Sequence, residues 1–338
     1  MKYRFNWKTF KKNFKRDWQL HLMMLFPVVY LVIFDFIPIY GLQMAFRDFR
    51  PKEALGITNS EWVGLRWFFD FMSAHDFKSI FSNTIIISLY SLATFPLPII
   101  FALILNALKS EKYKRVVQTV SYMPHFISTT VMVGILFMLL SPTSGLYGNF
   151  YGLFRDITIW IGDKVDFIEP LCNWIVKTFM EKQQAPDIRY LSVTFRHLYI
   201  WSGVWQGLGW SSIIYVAALS SVSQELHEAA QIDGASRLKR MWYVDLPAIV
   251  PTVAIMLIMR CTSIISVGFE KVYLMQNALN VSVSEVISTY IFKKAIGGVR
   301  SYSYGAAVGL FNTAINLSLL VLVNTIVKKA TDGEITLY

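Results

Sequence analysis

Three sets of residues in this 338-residue chain have types and spacings suited to gripping a polar solute. Arg260, Ser263, Val267 and Glu270 fall at i, i+3, i+7 and i+10, one face of a helix, with Ser266 beside it. A guanidinium, hydroxyls and a carboxylate on one stripe could bond to a hydroxyl-rich molecule. The plainer alternative is that Arg260 and Glu270 neutralise partners on neighbouring helices. Trp201, Trp205 and Trp210 alternate with Gly203, Gly207 and Gly209. Trp201 and Trp205, one turn apart, could form a stacking platform for a C–H-rich ring face, or they could simply be interfacial tryptophans. Asn312 and Asn316, also one turn apart, could bond to a solute or to a neighbouring helix. Nothing points to catalysis. There is no Ser/His/Asp arrangement, paired carboxylate or His-Glu-x-x-His, and Cys172 and Cys261 support neither a disulfide framework nor a metal cluster. Asp35, beside Pro38 near the outer end of the first apolar run, reads as a satisfied interfacial carboxylate, and His125 as a packing residue.

These groups need elements to hold them. The chain is 54% apolar and 16% charged, whereas a soluble domain carries about 25% charged residues. It is too apolar for disorder and too poor in charge to cover a water-facing surface. A membrane-crossing helix must offer roughly 20 mostly apolar residues. Six stretches qualify: 20–39, 84–108, 120–140, 198–220, 249–269 and 304–327. The expected fold class is therefore all-α, a polytopic membrane protein whose six transmembrane helices make one domain over 19–338. Prolines 27, 38, 96, 98 and 124 lie within or near these runs, as lipid-embedded helices tolerate.

Residues 1–18 form a basic segment with seven Lys/Arg and one acid. The apolar run after it is too long for a signal peptide and lacks a small-residue cleavage site, so it reads as a retained first helix. With both termini cytoplasmic, the inner segments carry 16 Lys/Arg against 8 acids and the outer ones 14 against 13. The basic excess is then on the cytoplasmic side, and the net charge of +10 mainly records orientation. Split between membrane sides, it is no nucleic-acid footprint. Residues 141–190 are expected to form an extracytoplasmic amphipathic loop, resting on lipid or offering a docking surface.

The inner loop 221–248 differs from an ordinary connector. Ser221 with Gln224 fits a capping box, and Glu225, Leu226, Ala229 and Ala230 favour helix. Asp233-Gly234 supplies an elbow, and 235–244 can form a second helix before Leu246-Pro247. Glu228-Ala229-Ala230, Asp233-Gly234-Ala235, Trp242 and Val244-Asp245-Leu246-Pro247 resemble the EAA coupling loop of permease subunits in binding-protein-dependent ABC importers. The forms ELHEAAQIDGAS, RVVQTVSYMPHFIS and SVGFEKVYLM look like the carbohydrate-uptake, oligosaccharide branch. Trp242 stands where Phe is commoner in that family.

The resemblance implies a subunit of a prokaryotic cell membrane that imports an oligosaccharide by alternating access. Its partners would be a homologous second permease, a cytoplasmic dimer of ATP-binding subunits, an extracytoplasmic solute-binding protein and membrane lipid. Glu228 would be the polar link to the ATPase. Ala229, Ala230, Asp233, Gly234 and Ala235 would make the close-packing surface, with Leu246 and Pro247 closing the motif. No cofactor is expected on this chain, ATP and Mg being held by the partner. Consistent with that division of labour, the sequence has no Gly-Lys pair and hence no phosphate loop. The alternative, a stand-alone ion-coupled transporter, would predict two interrupted halves with acids inside the membrane. Of the acids, only Asp35 lies well inside an apolar run.

Overall fold

The protein is described from a computed structural model, which covers residues 14, 16–50, 56–164, 169–180, 185–261, 265–295 and 301–330. Its described residues are mostly helical, with one isolated bridge between Arg47 and Trp62. They divide into two units, one taking the chain through Ser73 with Lys294–Leu310, the other Ala74–Lys293 with the remainder.

In the first unit, α1 (Trp18–Phe46) is long and apolar enough to cross a membrane, and residues 18–39 bury none of their side chains. Pro38 does not break it. The turn Val32–Phe36 widens to a π-turn, in which the Ile37 amide reaches back to Val32. That wider pitch relieves the clash a proline ring makes with the carbonyl four residues earlier. Beyond α1, Arg47 donates to the carbonyls of Thr58 and Ser60, both at 2.8 Å, and Trp67 Nε1 donates to the Arg47 carbonyl at 3.0 Å. These bonds seat α2 (Arg66–Met72).

The second unit is organised on one post. It contains α3 (Phe77–Asn106), α4 (Glu111–Phe126), α5 (Thr129–Leu139), α6 (Leu146–Lys164), α7 (Glu169–Phe179), α8 (Ser192–Leu219), α9 (Gln224–Ile232), α10 (Arg237–Cys261), α11 (Phe269–Met275), α12 (Val281–Ser284) and, through Lys293, α13 (Ile287–Ala295). The last helix, α14 (Tyr302–Ala330), gives its first turns to the first unit and the rest to the second. Helix α8 packs against α3, α4, α10, α11 and α12. Its N-terminal half joins a core with Ile87, Met132, Phe195, Ile200, Val272 and Met275, and its C-terminal half one with Ile99, Leu103, Tyr215, Leu219 and Ile249. Gly209 permits the contact with α4: a Cβ there would stand 2.3 Å from the Ser121 carbonyl oxygen. Helices in lipid gain little from apolar burial alone, so such close approaches carry much of their association.

Four helices, α1, α3, α10 and α14, meet the length and composition of a membrane crossing. Helix α8 has 28 residues, about 42 Å at 1.5 Å per residue, but a more polar make-up. The expected third crossing, 120–140, is not one straight helix. The chain bends by 106° between α4 and α5, because Pro124 closes α4 in a 3-10 turn and Ser128 opens α5 by accepting the Val131 amide. The expected fifth crossing, 249–269, is shifted. Helix α10 starts at Arg237 and runs through Leu246-Pro247 on a second π-turn, Met241–Asp245, with the Leu246 amide bonded to Met241. In both π-turns one residue separates the turn from the proline. Helix α10 then ends at Cys261.

Candidate functional site

Two places in the second unit bring functional candidates together. The first is the elbow between α9 and α10. Ser223, rather than Ser221, caps α9 by accepting the Glu225 amide at 3.2 Å, while Ser221 donates to the Ala218 carbonyl. At the other end Gly234 has φ +75°. Its amide bonds to Gln231 and that of Ala235 to Ala230 at 2.9 Å, the paired bonds of a Schellman end. Ser236 then caps α10 through the Lys239 amide. The tight elbow leaves Glu228, Ala229, Asp233 and Gly234 exposed and Ala230 and Ala235 half-buried. Around them Leu226, Ile232, Leu238, Trp242 and Tyr243 are exposed, Ile232 by 87%. Leu246 is half-buried and Pro247 exposed. Such an apolar patch on a polar helix pair has the character of an interaction surface.

The elbow is anchored from beneath. Asp245, at the foot of α10 and just before the apolar run Leu246–Cys261, is 5% exposed. Its Oδ1 lies 3.2 Å from His227 Nε2 on α9 and 3.4 Å from Asn106 Nδ2 at the end of α3.

The second place is a cavity of about 550 Å³ between α3, α8, α10 and α11, within the range of small-ligand sites. Its walls include Ser91, Tyr199, Gln206, Arg260 and Lys271. Arg260 Nη2 donates to Ser91 Oγ at 2.6 Å. Lys271 Nζ donates to the Tyr199 carbonyl at 2.6 Å and sits 4.7 Å from the centre of that ring. An adjoining cavity of about 200 Å³ shares Ser91, Tyr199 and Arg260, and adds Ser88 and Ser266.

The stripe expected on the fifth crossing is not formed. Because residues 266–268 are not helical, Arg260 and Glu270 do not share a face of one helix. Arg260 lines the cavity, whereas Glu270 on α11 accepts from Thr130 Oγ1 at 3.1 Å. Val267 is buried in the N-terminal core. Ser263 lies outside the described residues. Ser266 is exposed, lines the smaller cavity and accepts from Asn316 Nδ2 at 3.1 Å. Asn316, which also accepts from the Ile265 amide, thus ties the last helix to the non-helical segment before α11 rather than to a helix, and the Asn312 Oδ1 is buried without a hydrogen-bond partner. Trp201 and Trp205 are about half exposed and outside the cavity lining. Trp201 Nε1 donates to the Tyr90 hydroxyl at 3.0 Å, and Trp210 stacks on His125 at 4.4 Å. Lys271, Tyr199 and Gln206 were not singled out from the sequence. The available signal was the position of Lys271 inside SVGFEKVYLM.

Helices α6 and α7 pack on each other within 141–190. On α6 they expose Leu146, Phe150, Phe154, Ile157 and Trp160, on α7 Leu171 and Trp174. Among the described residues no group of His, Cys, Asp and Glu could hold a metal.

Residues 94–332 match the family described as binding-protein-dependent transport system inner membrane component. Protein LplB of Bacillus subtilis is 37% identical over 93% of this chain and 90% of its own. The polygalacturonan/rhamnogalacturonan transport system permease protein YteP of the same organism is 37% identical over 92% and 88%. A chain of a bacterial ABC transporter involved in import of the acidic polysaccharide alginate superposes with TM-score 0.77 at 32% identity, covering 95% of this chain and 99% of that one. A second structure of an alginate transporter, in complex with an alginate pentasaccharide-bound periplasmic protein, gives 0.76 at 31% identity, covering 96% and 99%.

Proposed function

Because the chain belongs to the family of inner membrane components of binding-protein-dependent transport systems, the permease subunits of ABC importers, we propose that it moves an oligosaccharide inward by alternating access. Its solute path is the cavity beside α8, and its power is supplied through the α9–α10 elbow. An extracytoplasmic binding protein delivers the solute. A second, homologous permease completes the path, and a pair of cytoplasmic ATP-binding subunits drives it. Both termini lie in the cytoplasm of a prokaryotic cell. The sugar class follows the polysaccharide systems of the similar proteins. A stand-alone ion-coupled carrier is not supported, since the matched family is one component of a larger system.

The observation that carries the coupling role is the elbow itself: small residues and exposed apolar side chains on a short capped helix, tied by His227 to the foot of α10. A push on α9 is thereby transmitted to a helix that lines the cavity. Glu228 supplies the polar link at the contact, and Ala229 lets the partner approach. The test is co-purification with the ATP-binding subunit after expression of the whole importer. Glu228→Arg and Ile232→Asp should lower recovery of that subunit and saccharide-stimulated ATP hydrolysis at least about tenfold, with membrane levels of the permease unchanged. Normal coupling in both variants, or uptake by the permease alone, would overturn the reading.

A further inference from the structure

The geometry points to a carboxylate-bearing cargo: we infer that the cavity beside α8 takes an oligosaccharide containing uronic acid units. This rests on reading the chain as an oligosaccharide permease. The charged residues in the cavity wall are Arg260 and Lys271, and both are cations. Among the described residues neither has an acidic partner. Arg260 meets a hydroxyl and Lys271 a carbonyl and a ring face, which satisfy donors but leave both charges standing. Glu270, adjacent in sequence to Lys271, is turned to Thr130.

Uncompensated charge within the membrane-spanning part of a protein is costly and marks a solute path. An anionic solute removes that cost when it arrives. The guanidinium fork suits a carboxylate, since its parallel donors match both oxygens. Arg260 uses one bond of its fork among the described residues. Ser88 Oγ, 4% exposed and without a hydrogen-bond partner, lines the adjoining space that Arg260 also borders. The wall is therefore donor-rich around Arg260, where Ser88 and Ser91 stand beside the guanidinium. Gly203 keeps Lys271 in reach, because a Cβ there would lie 3.1 Å from Nζ.

The experiment uses the assembled importer in liposomes with a tri-uronate and the same trisaccharide after reduction of its carboxylates to alcohols. Binding is read by thermal protection of the permease–ATPase complex without binding protein, and uptake by ATP-driven accumulation with it. Wild type should prefer the tri-uronate by at least about tenfold, the scale of one hydrogen bond to a charged group. Arg260→Gln and Lys271→Gln should each shrink that ratio, and Lys271→Arg should restore it. Recovery of the intact permease–ATPase complex on size exclusion confirms that the variants assemble. A wild-type ratio near one, or a ratio unmoved by both glutamine variants, would overturn the inference. ATP-driven uptake of the reduced trisaccharide alone would also overturn it while leaving the permease reading standing; absence of ATP-driven uptake of either sugar, with the binding protein loaded, would defeat the permease reading itself.

Discussion

His227 Nε2 on the elbow helix lies 3.2 Å from the Oδ1 of Asp245, a carboxylate 5% exposed at the foot of α10. With the 3.4 Å bond from Asn106, one carboxylate joins three elements. Asp245→Asn, which removes the charge and keeps an acceptor, should assemble normally. Asp245→Ala leaves the half-buried His227 and Asn106 donors without their acceptor and should cost about 1 kcal/mol, read as a lower melting temperature and weaker ATPase coupling.

Gly234 holds φ +75° with nothing within 4 Å of a Cβ placed on it. A substitution there is limited by backbone conformation rather than by space. Gly234→Asn should therefore retain most transport, because Asn tolerates the left-handed region. Gly234→Val should cost roughly 1–2 kcal/mol or more and reduce saccharide-stimulated ATP hydrolysis. Equal losses in the two would argue instead for a steric contact with a partner at this position.

The parts legible in the sequence were those set by local chemistry. The long apolar runs behind α1, α3 and α14 appear as helices of 28 to 30 residues, and the elbow at Gly234 forms where Asp233-Gly234 signals it. The foot of α10 was misread because Leu246-Pro247 looks like a stop. The π-turn over Met241–Asp245 lets the ladder pass the proline, and no residue pattern announces that. The third crossing failed in the opposite sense: apolar content continues through 120–140 while Pro124 and the Ser128 cap turn the chain. The cavity was the least legible part. Lys271 reaches Tyr199, 72 residues away, because residues 266–268 are not helical and α11 packs against α8.

The contact of α8 with α4 gives a stability test with an internal control. At Gly209 an added methyl would meet backbone atoms of Ser121 at 2.3 and 2.5 Å, whereas at Gly207 it would meet nothing within 4 Å. Backbone cannot rotate away as a side chain can. Gly209→Ala should destabilise the purified complex by about 1–3 kcal/mol, and Gly207→Ala should leave its melting temperature within error.

Arg260 and Glu270 test whether the fifth crossing carries a continuous polar stripe or a broken one. On a continuous helix ten residues would bring them to the same face, and neutralising either would disturb one shared site. In the fold they part. Arg260 reaches Ser91 from the cavity wall, while Glu270 accepts from Thr130 on α5 outside it. Glu270→Gln keeps an acceptor for the Thr130 hydroxyl and removes only a charge, so saccharide uptake should stay within about twofold of wild type, the loss of one weak preference. Arg260→Gln removes a cation from the cavity and should lower uptake of a charged saccharide far more. Doubling the change tests the separation: groups without a shared partner should give additive effects within about 0.5 kcal/mol, whereas a stripe that binds one solute through both would give a non-additive pair. Kinetics of uptake by the two single variants and the double variant, at matched membrane levels, decide between these outcomes.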